Sequence, residues 1–378
     1  MKLINNNVLT VYFLIGLPGA GKTTFAKQIA NAQIVSVDDV RQELSNSGVI
    51  GKTYSTLDNE VVYNAFNKKV YEVVKLGKSV VVDSTNARLS EREAIFNLLK
   101  EFKPKFVGLR FIDSPKTCVK RILKREKETK NNLGVHHFDN PQKAVNVYDE
   151  RIRENEPSLN EPFAEILYIK NGKVKKRIQK LLIASTNQGK INIYKQVCDE
   201  LNILTTSLAE IKVNTVVEET GKNEIENAIL KAKAFNNETG LPVLSNDSGL
   251  VIDKFKPEDQ PGVMVRRFGG HELTDEQMID IYVQKLNEVG GESTGHYNVA
   301  LAIIDKKGNL KVGEFKPKRY FINKPSKVVN KGVPLSSLSF DTVTGKYMSE
   351  MTIKERNNYE AEAMQQQKQF IKKCFSKN

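Results

Sequence analysis

One stretch constrains this chain more than any other: Val11–Ala30, VYFLIGLPGAGKTTFAKQIA. An apolar, β-branched run ends in Gly16-Leu17-Pro18-Gly19-Ala20-Gly21-Lys22-Thr23, and a helical pattern follows. The loop reads G-x-x-x-x-G-K-S/T in the strand–loop–helix setting that gives this motif its meaning. Gly16, Gly19 and Gly21 let backbone N–H groups close around a polyphosphate without Cβ clashes. The helix N-terminus adds partial positive charge there, and Lys22 adds a full one. Thr23 is placed to hold Mg²⁺, with Thr24 beside it on the nucleotide side. The first half is therefore expected to bind a nucleoside triphosphate, with ATP as phosphate donor and Mg²⁺ as cofactor.

The chain has 378 residues, 39% of them hydrophobic, which is too many for one ordinary core and implies two domains. A net charge of +13 favours a polyanionic partner, although a lysine-rich solvated surface gives the same number. Cys118, Cys198 and Cys374 are far apart, odd in number and form no CxxC. That fits free thiols in a reducing cytoplasm, a host cytoplasm if the source is viral. No run approaches the ~18 apolar residues a membrane span needs, so no membrane partner is expected.

After the first helix, Ile34-Val35-Ser36-Val37 reads as a second strand ending in Asp38-Asp39-Val40-Arg41. Ligands bind at the carboxyl ends of strands in open α/β sheets. One carboxylate there can take a proton from an acceptor hydroxyl, and Arg41 can clamp an acceptor phosphate. An N-capping aspartate with a surface ion pair is the plainer alternative. A helix over about 58–76 stops at Gly77, and Ser79–Asp83 follows as a buried parallel strand ending in an acid. Asp83 stands where a carboxylate holds the Mg²⁺ water shell. Ser90-x-x-Glu93 reads as a capping box. A strand at Phe106–Ile112 then leads to a basic helix, Lys116–Lys130, suited to a lid over the transferring phosphoryl group. The stretch 131–160 is polar. Its His136-His137 pair has no ligand spacing around it and is not read as a metal site.

GLPGAGKTT, SVDDVRQEL, VVVDSTN and the basic KRILKRE helix stand in the order and spacing of phage-type polynucleotide kinases, which residues 8–155 resemble. The resemblance implies Asp38 as general base on the acceptor hydroxyl and Arg41 as the grip on the acceptor-side phosphate. It implies Arg125, with Arg121, as the lid arginines on the donor phosphates. Asp83 and Asn86 would line the same site, Asn86 towards the acceptor. It leaves the acceptor open, because the wider family includes kinases of small molecules and of a hydroxymethyl group on a DNA base. No D-x-D-x-T phosphatase signature is present.

The basic stretch 173–180 is taken as a linker. Leu181–Ala184 then starts a new strand, running into Ser185-Thr186-Asn187-Gln188-Gly189-Lys190 and a helix, a second anion-binding geometry. Glu218-Glu219-Thr220-Gly221 precedes a helix over 223–237, where Asn227 and Lys231 share a face. A strand from Leu241 ends in Ser245-Asn246-Asp247-Ser248-Gly249-Leu250. Lysines to grip phosphates, with acids to hold Mg²⁺ and activate water, describe hydrolysis of a pyrophosphate bond.

ASTNQGK, EETG…IENAILKA, LPVLSNDSGL and PGVMVRRFGG closely resemble the inosine/xanthosine triphosphate pyrophosphatase (Ham1-like) family over residues 181–378. By that resemblance Asn187, Lys190 and Lys231, with Asn227, bind the triphosphate, and Glu219 and Asp247 are the metal-binding and water-activating acids. Three departures stand out. Asn246 occupies a position where the family has an acid, which implies one metal-site carboxylate fewer. The base-stacking F-G-Y-D-P segment is absent near residues 332–337, and the S-H-R that reads purine oxo groups is absent near 360–362. The phosphate end of the site looks kept and the base end rewritten. The helix over 352–375 reads as a packing element.

The expected architecture is α/β: a P-loop-type parallel sheet flanked by helices over 1–172, then a mixed α/β Ham1-like domain over 181–378. The expected function is bifunctional. One half is a kinase acting on a hydroxyl, with polynucleotide 5′-OH favoured. The other is an Mg²⁺-dependent nucleoside triphosphate pyrophosphatase with altered base choice. The alternative is a kinase of a hydroxymethylated DNA base or a nucleoside, with a C-terminal half that only binds nucleotide or forms a homodimer.

Overall fold

A computed structural model of the chain describes residues 8–46, 58–128, 140–213, 215–267 and 271–375. The chain divides into two compact units. The first holds residues 1–182, 203–215 and 237–241, and the second holds 183–202, 216–236 and 242–378.

The first sheet is built on β1 (Thr10–Ile15), buried at every position. Successive side chains alternate between faces. Val11, Phe13 and Ile15 therefore enter one core, and Tyr12 and Leu14 enter another. Such a strand needs a helical layer on each side, hence a parallel sheet. The sheet runs β2-β3-β1-β4-β5-β6, with β2 (Ala32–Ser36), β3 (Ser79–Asp83), β4 (Lys105–Phe111) and β5 (Phe163–Lys170) parallel to β1 through their neighbours. One core lies under α3 (Asn59–Lys75) and α4 (Leu89–Leu99), where Phe13 meets Phe96, Phe106 and Phe163 with ring centroids 4.9, 6.1 and 5.4 Å away. The other lies under α1 (Lys22–Ala26), α5 (Pro115–Glu128) and α6 (Pro141–Glu154). Because β1 sits between β3 and β4, its carboxyl end opens at the point where the crossovers diverge.

Several elements differ from the sequence reading. The stretch expected as a linker is β6 (Lys173–Gln179), antiparallel to β5. Asn171 and Gly172, at φ 51° and 69°, form the tight turn between them, which is the Asn-Gly hairpin signal. Helix α2 (Val37–Asn46) starts before Asp38, so both aspartates lie in its first turn, with Ser36 Oγ accepting from Asp39 N. Helix α4 opens on Leu89 instead of after Ser90, and Glu91 accepts from Arg88 N. His136-His137 lies outside the described residues.

The second sheet runs β11-β10-β9-β7-β8, with β12 also on β10. Its elements are β7 (Leu181–Ala184), β8 (Thr205–Ser207), β9 (Val243–Ile252), β10 (Glu292–Ile304), β11 (Leu310–Phe315) and β12 (Lys318–Ile322). Strand β9 does not stop at Leu244. It continues unbroken through Asn246-Asp247-Ser248 and pairs with β10 from Val243↔Ile304 to Ile252↔Gly295. Helices α7 (Gln188–Glu200), α8 (Glu224–Thr239) and α9 (Asp275–Glu288) pack around it. The C-terminal helix is two helices, α10 (Ile353–Tyr359) and α11 (Ala361–Phe375), which meet at Glu360. Cys118, Cys198 and Cys374 are free and buried. Among the described residues no helix is long and apolar enough to cross a membrane.

Two candidate phosphate sites

In the first unit, β1 delivers its carboxyl end to the glycine loop, and each glycine has its own reason. A Cβ on Gly16 would stand 2.7 Å from Phe111 Cβ, and one on Gly19 would stand 2.6 Å from Cys118 O. Gly21, at φ 83°, needs the left-handed region. Lys22 Nζ donates to Gly16 O (3.0 Å) and Leu17 O (3.1 Å), curled back over the loop it serves. Burial holds the Lys22 ammonium below its ordinary pKa, against the pull of Asp83 and Asp38, while Arg125 pushes the same way as burial. Lys22, Asp83, Asp38 and Arg125 therefore form one electrostatic group. Thr23 Oγ1 donates to Asp83 Oδ2 at 2.8 Å. Burial raises the Asp83 carboxyl above its usual range, Thr23 and Lys22 oppose the rise, and Asp38 and Asp39 add to it. A threonine hydroxyl beside a carboxylate offers hard oxygen donors, and that set suits Mg²⁺, which takes one or two carboxylates plus phosphate oxygens and waters. Thr24 lies exposed on α1.

Two of the expected site residues bond to the protein itself. Asn86, at φ 45° and 2% exposed, donates its amide to Leu14 O (2.9 Å) and Val82 O (3.1 Å), so it braces β1 against β3. Arg121 pairs with Asp113 (3.0 Å) and donates to Asn171 Oδ1 (3.0 Å) and Gly19 O (3.4 Å). It ties α5 and the β5–β6 turn to the loop, and its guanidinium is thereby taken up by protein groups. Arg41 donates to Asn59 Oδ1 at 2.6 Å, at the start of α3. Sequence reasoning missed Arg92, 1% exposed, which pairs with Glu161 (2.7 Å) and donates to Asn86 O (3.0 Å). Thr85 O accepts from Gly16 N, so Arg92 supports the loop through its neighbour in sequence. An interior helical arginine carries no motif that could have flagged it.

In the second unit the site is made of side chains. Lys231 Nζ lies 3.0 Å from both Glu219 Oε1 and Asp247 Oδ1. Asn227, 1% exposed, donates to Asp247 Oδ2 (3.2 Å) and accepts from Gly221 N (2.8 Å). It thus orients the acid and the loop after Glu219. Lys190, in the first turn of α7, reaches Ser248 Oγ at 3.5 Å. Burial holds Lys190 below its ordinary pKa and Lys231 adds to that, against Asp247 and Glu219. Asn187 Oδ1 caps α7 by accepting from Lys190 N at 3.1 Å.

Asn246 and Asp247 part company on β9. Neighbours on a strand point to opposite faces. Ser245 and Asp247 turn to α8, where Ser245 Oγ donates to Ala228 O (2.5 Å), while Asn246 meets Tyr194 of α7. It therefore turns to the opposite face from Asp247, and its Oδ1 is buried there without a hydrogen-bond partner. No group of three or more His, Cys, Asp or Glu able to hold a metal occurs among the described residues. The donors of the second site are two carboxylates, again a set that suits Mg²⁺ completed by phosphates and water.

These features define the class: a P-loop kinase-like domain joined to a second α/β domain with a lysine–carboxylate cluster. The family model for an AAA domain matches residues 11–151, and that of the Ham1 family matches residues 181–366, so the second domain is Ham1-like. A dITP/XTP pyrophosphatase of Bacillus anthracis is 33% identical over 135 residues, 35% of this chain and 66% of the relative. The match thus spans just under two thirds of that relative's length. The Ham1 protein of Staphylococcus aureus aligns with 51% of this chain and 98% of its own at 23% identity and TM-score 0.44. A structure of the Pnkp1/Rnl/Hen1 RNA repair complex aligns with 63% of this chain and 88% of that chain at 15% identity and TM-score 0.34.

Proposed function

We propose that the N-terminal domain transfers the γ-phosphoryl group of ATP to a hydroxyl, with a polynucleotide 5′-OH as the favoured acceptor. The carrying observation is the Thr23–Asp83 contact beside Lys22, with Asp38 and Arg125 in the same electrostatic group. The acceptor oxygen attacks the γ-phosphorus, the bond to the β–γ bridging oxygen breaks, and Asp38 takes the hydroxyl proton. Lys22 and Arg125 stabilise charge on the phosphoryl oxygens. Thr23 and Asp83 would hold Mg²⁺, which would offset phosphate charge.

The C-terminal domain, in this reading, cleaves a nucleoside triphosphate to monophosphate and pyrophosphate. Water attacks the α-phosphorus and pyrophosphate leaves. Asp247, oriented by Asn227, takes the water proton, and Lys190 and Lys231 hold the leaving phosphates. Glu219 and Asp247 would hold Mg²⁺, which offsets the charge of the phosphate chain.

The test offers γ-labelled ATP and Mg²⁺ to 5′-OH single-stranded DNA, RNA, hydroxymethyl-base DNA and free nucleosides in parallel. Label at an oligonucleotide 5′ end supports the acceptor. Label only on the hydroxymethyl base or on nucleosides removes it and leaves the P-loop chemistry standing.

A further inference from the structure

Several elements of the first unit converge at the carboxyl end of β3, beside Asp83. Tyr63 of α3 shares a hydrogen bond with Ser84, the residue after Asp83, with 3.4 Å between the two oxygens. Burial raises the Tyr63 phenol above its ordinary pKa, the Ser84 bond opposes the rise, and Glu91, Tyr148 and Arg41 act on it as well. Arg41 of α2, the first turn of α4 and Tyr148 of α6 thus surround one tyrosine. The start of α4 also follows directly on the segment in which Thr85 O accepts from Gly16 N of the glycine loop.

Between that start of α4 and helix α6 lies an open cavity of about 550 Å³, which the phosphoryl chemistry does not use. Small-molecule sites run to roughly 300–1,000 Å³. Its back is held by hydrogen bonds: Leu89 N donates to Asn155 Oδ1 at 3.2 Å, and Arg92 Nη2 donates to Asn155 O at 3.0 Å. Arg88 and Arg151 line it together with Glu93, Glu150 and Glu154. Two guanidiniums against three carboxylates disfavour a phosphate group as the occupant. The flat group in the lining is Arg151, whose guanidinium carbon stands 5.2 Å from the centroid of the Tyr148 ring. A planar cation backed by an aromatic ring is a stacking platform. Nucleobases stack on arginine planes and on aromatic rings alike.

We propose that this cavity takes a nucleobase of the acceptor strand, near its 5′ end, stacked on Arg151 with Tyr148 behind it. This rests on the kinase reading above and names a part of the acceptor other than the reacting hydroxyl. Stacking tolerates any sequence, because every base presents a π-face. The cavity therefore favours a nucleic-acid strand over a free sugar alcohol without fixing which base is held. The three carboxylates keep the strand's own phosphates outside it.

Full-length protein with Mg²⁺ and a non-hydrolysable ATP analogue is titrated into 3′-labelled, 5′-OH single-stranded DNA pentamers, with fluorescence anisotropy as the readout. One pentamer is intact, and the others are abasic at the first, second or third nucleotide. The expected result is binding about tenfold weaker for the pentamer abasic at one of these positions, the scale of one stacked base. Arg151→Ala should weaken the intact pentamer by the same factor and leave that abasic one unchanged. Arg151→Lys, which keeps the charge and loses the plane, should fall with Arg151→Ala. Both variants are expected to keep the wild-type melting temperature. Equal weakening of intact and abasic pentamers in Arg151→Ala, or weakening of neither, overturns the inference. So does full affinity in Arg151→Lys, or equal or absent binding of all four pentamers by the wild type. Phosphoryl transfer from ATP to the same pentamers is followed in parallel. Base-dependent binding without transfer removes the 5′-OH acceptor and keeps the cavity, whereas transfer without base-dependent binding keeps the acceptor and removes the cavity.

Discussion

The two candidate phosphate sites are built by different means. The N-terminal one is made of backbone. Its glycines exist because a Cβ at Gly16 or Gly19 would collide with Phe111 or Cys118, and its one lysine lies back on loop carbonyls. The C-terminal one is made of side chains drawn from a loop, two helices and a strand: Glu219, Lys190, Asn227 with Lys231, and Asp247. A backbone cradle is rigid before any ligand arrives, since its donors are fixed by φ and ψ. The side-chain cluster is neutralised internally, with Lys231 held between two carboxylates, so a ligand must exchange those ion pairs for its own.

The comparison is sharpened first by the variants with the largest effect. Lys22→Ala is expected to lower phosphoryl transfer about 10³-fold and leave pyrophosphate release at its wild-type rate. Asp247→Asn should do the reverse, costing about 10²–10³ in pyrophosphate release with transfer intact. Equal loss of both activities in either variant breaks the division into two sites. Away from both sites, Lys105→Met tests the buried framework under β4 and β5. Lys105 pairs with Glu165 at 2.7 Å, both nearly inaccessible, and Arg177 joins at 2.5 Å. Burial pushes the Glu165 carboxyl up, but Lys105 and Arg177 outweigh it and hold it below the usual range. A depressed carboxyl contributes stability above its unfolded pKa and loses it on acidification. Removing Lys105 leaves the buried carboxylate with Arg177 alone, at a cost of up to about 3 kcal/mol, read by urea unfolding at neutral pH and shrinking towards acid pH. Asn227→Ala, which frees Asp247 without removing it, should cost pyrophosphate release about 10–100-fold, the scale of an outer-shell partner.

The smallest effect is the most diagnostic for the backbone site. Asp83 has its carboxyl raised by burial, so its ionisation lowers stability as pH rises through the folded pKa. Asp83→Asn is therefore expected to melt a few degrees higher than wild type at neutral pH without Mg²⁺ or nucleotide, to lose that advantage at acid pH, and to lack transfer. A lower melting temperature at neutral pH would mean that Asp83 serves the fold more than the metal.

Legibility in the sequence followed the same division. The glycine loop, β3 ending in Asp83, and α3 with Asp58 as its cap and Gly77 after it were all readable, because each is a local pattern with a local cause. The second site was readable as a set of residue types, but the contacts of Asn227 and Asn246 were not. Strand register decides their direction, and register depends on β10, some fifty residues later. The Arg121–Asp113 pair was hidden for a related reason: a basic helix looks alike whether an arginine faces ligand or pairs with a buried Asp113 from the preceding turn. The β5–β6 hairpin was legible in Asn171-Gly172 but hidden by the lysines around it, which on an edge strand discourage pairing with another chain.

That hairpin bears on how this gene can be dissected. Strand β6 ends at Gln179 and β7 begins at Leu181, so a single residue separates the last strand of one sheet from the first of the next. A stop codon placed at the apparent end of the kinase-like region, near residue 172, would strip off an edge strand and bare the flank of β5 to whatever strand meets it. Segments 203–215 and 237–241 also belong to the first compact unit, beyond the reach of any simple truncation. Separating the two activities is therefore a task for point mutations, and a truncated half that precipitates says nothing about which chemistry it once carried.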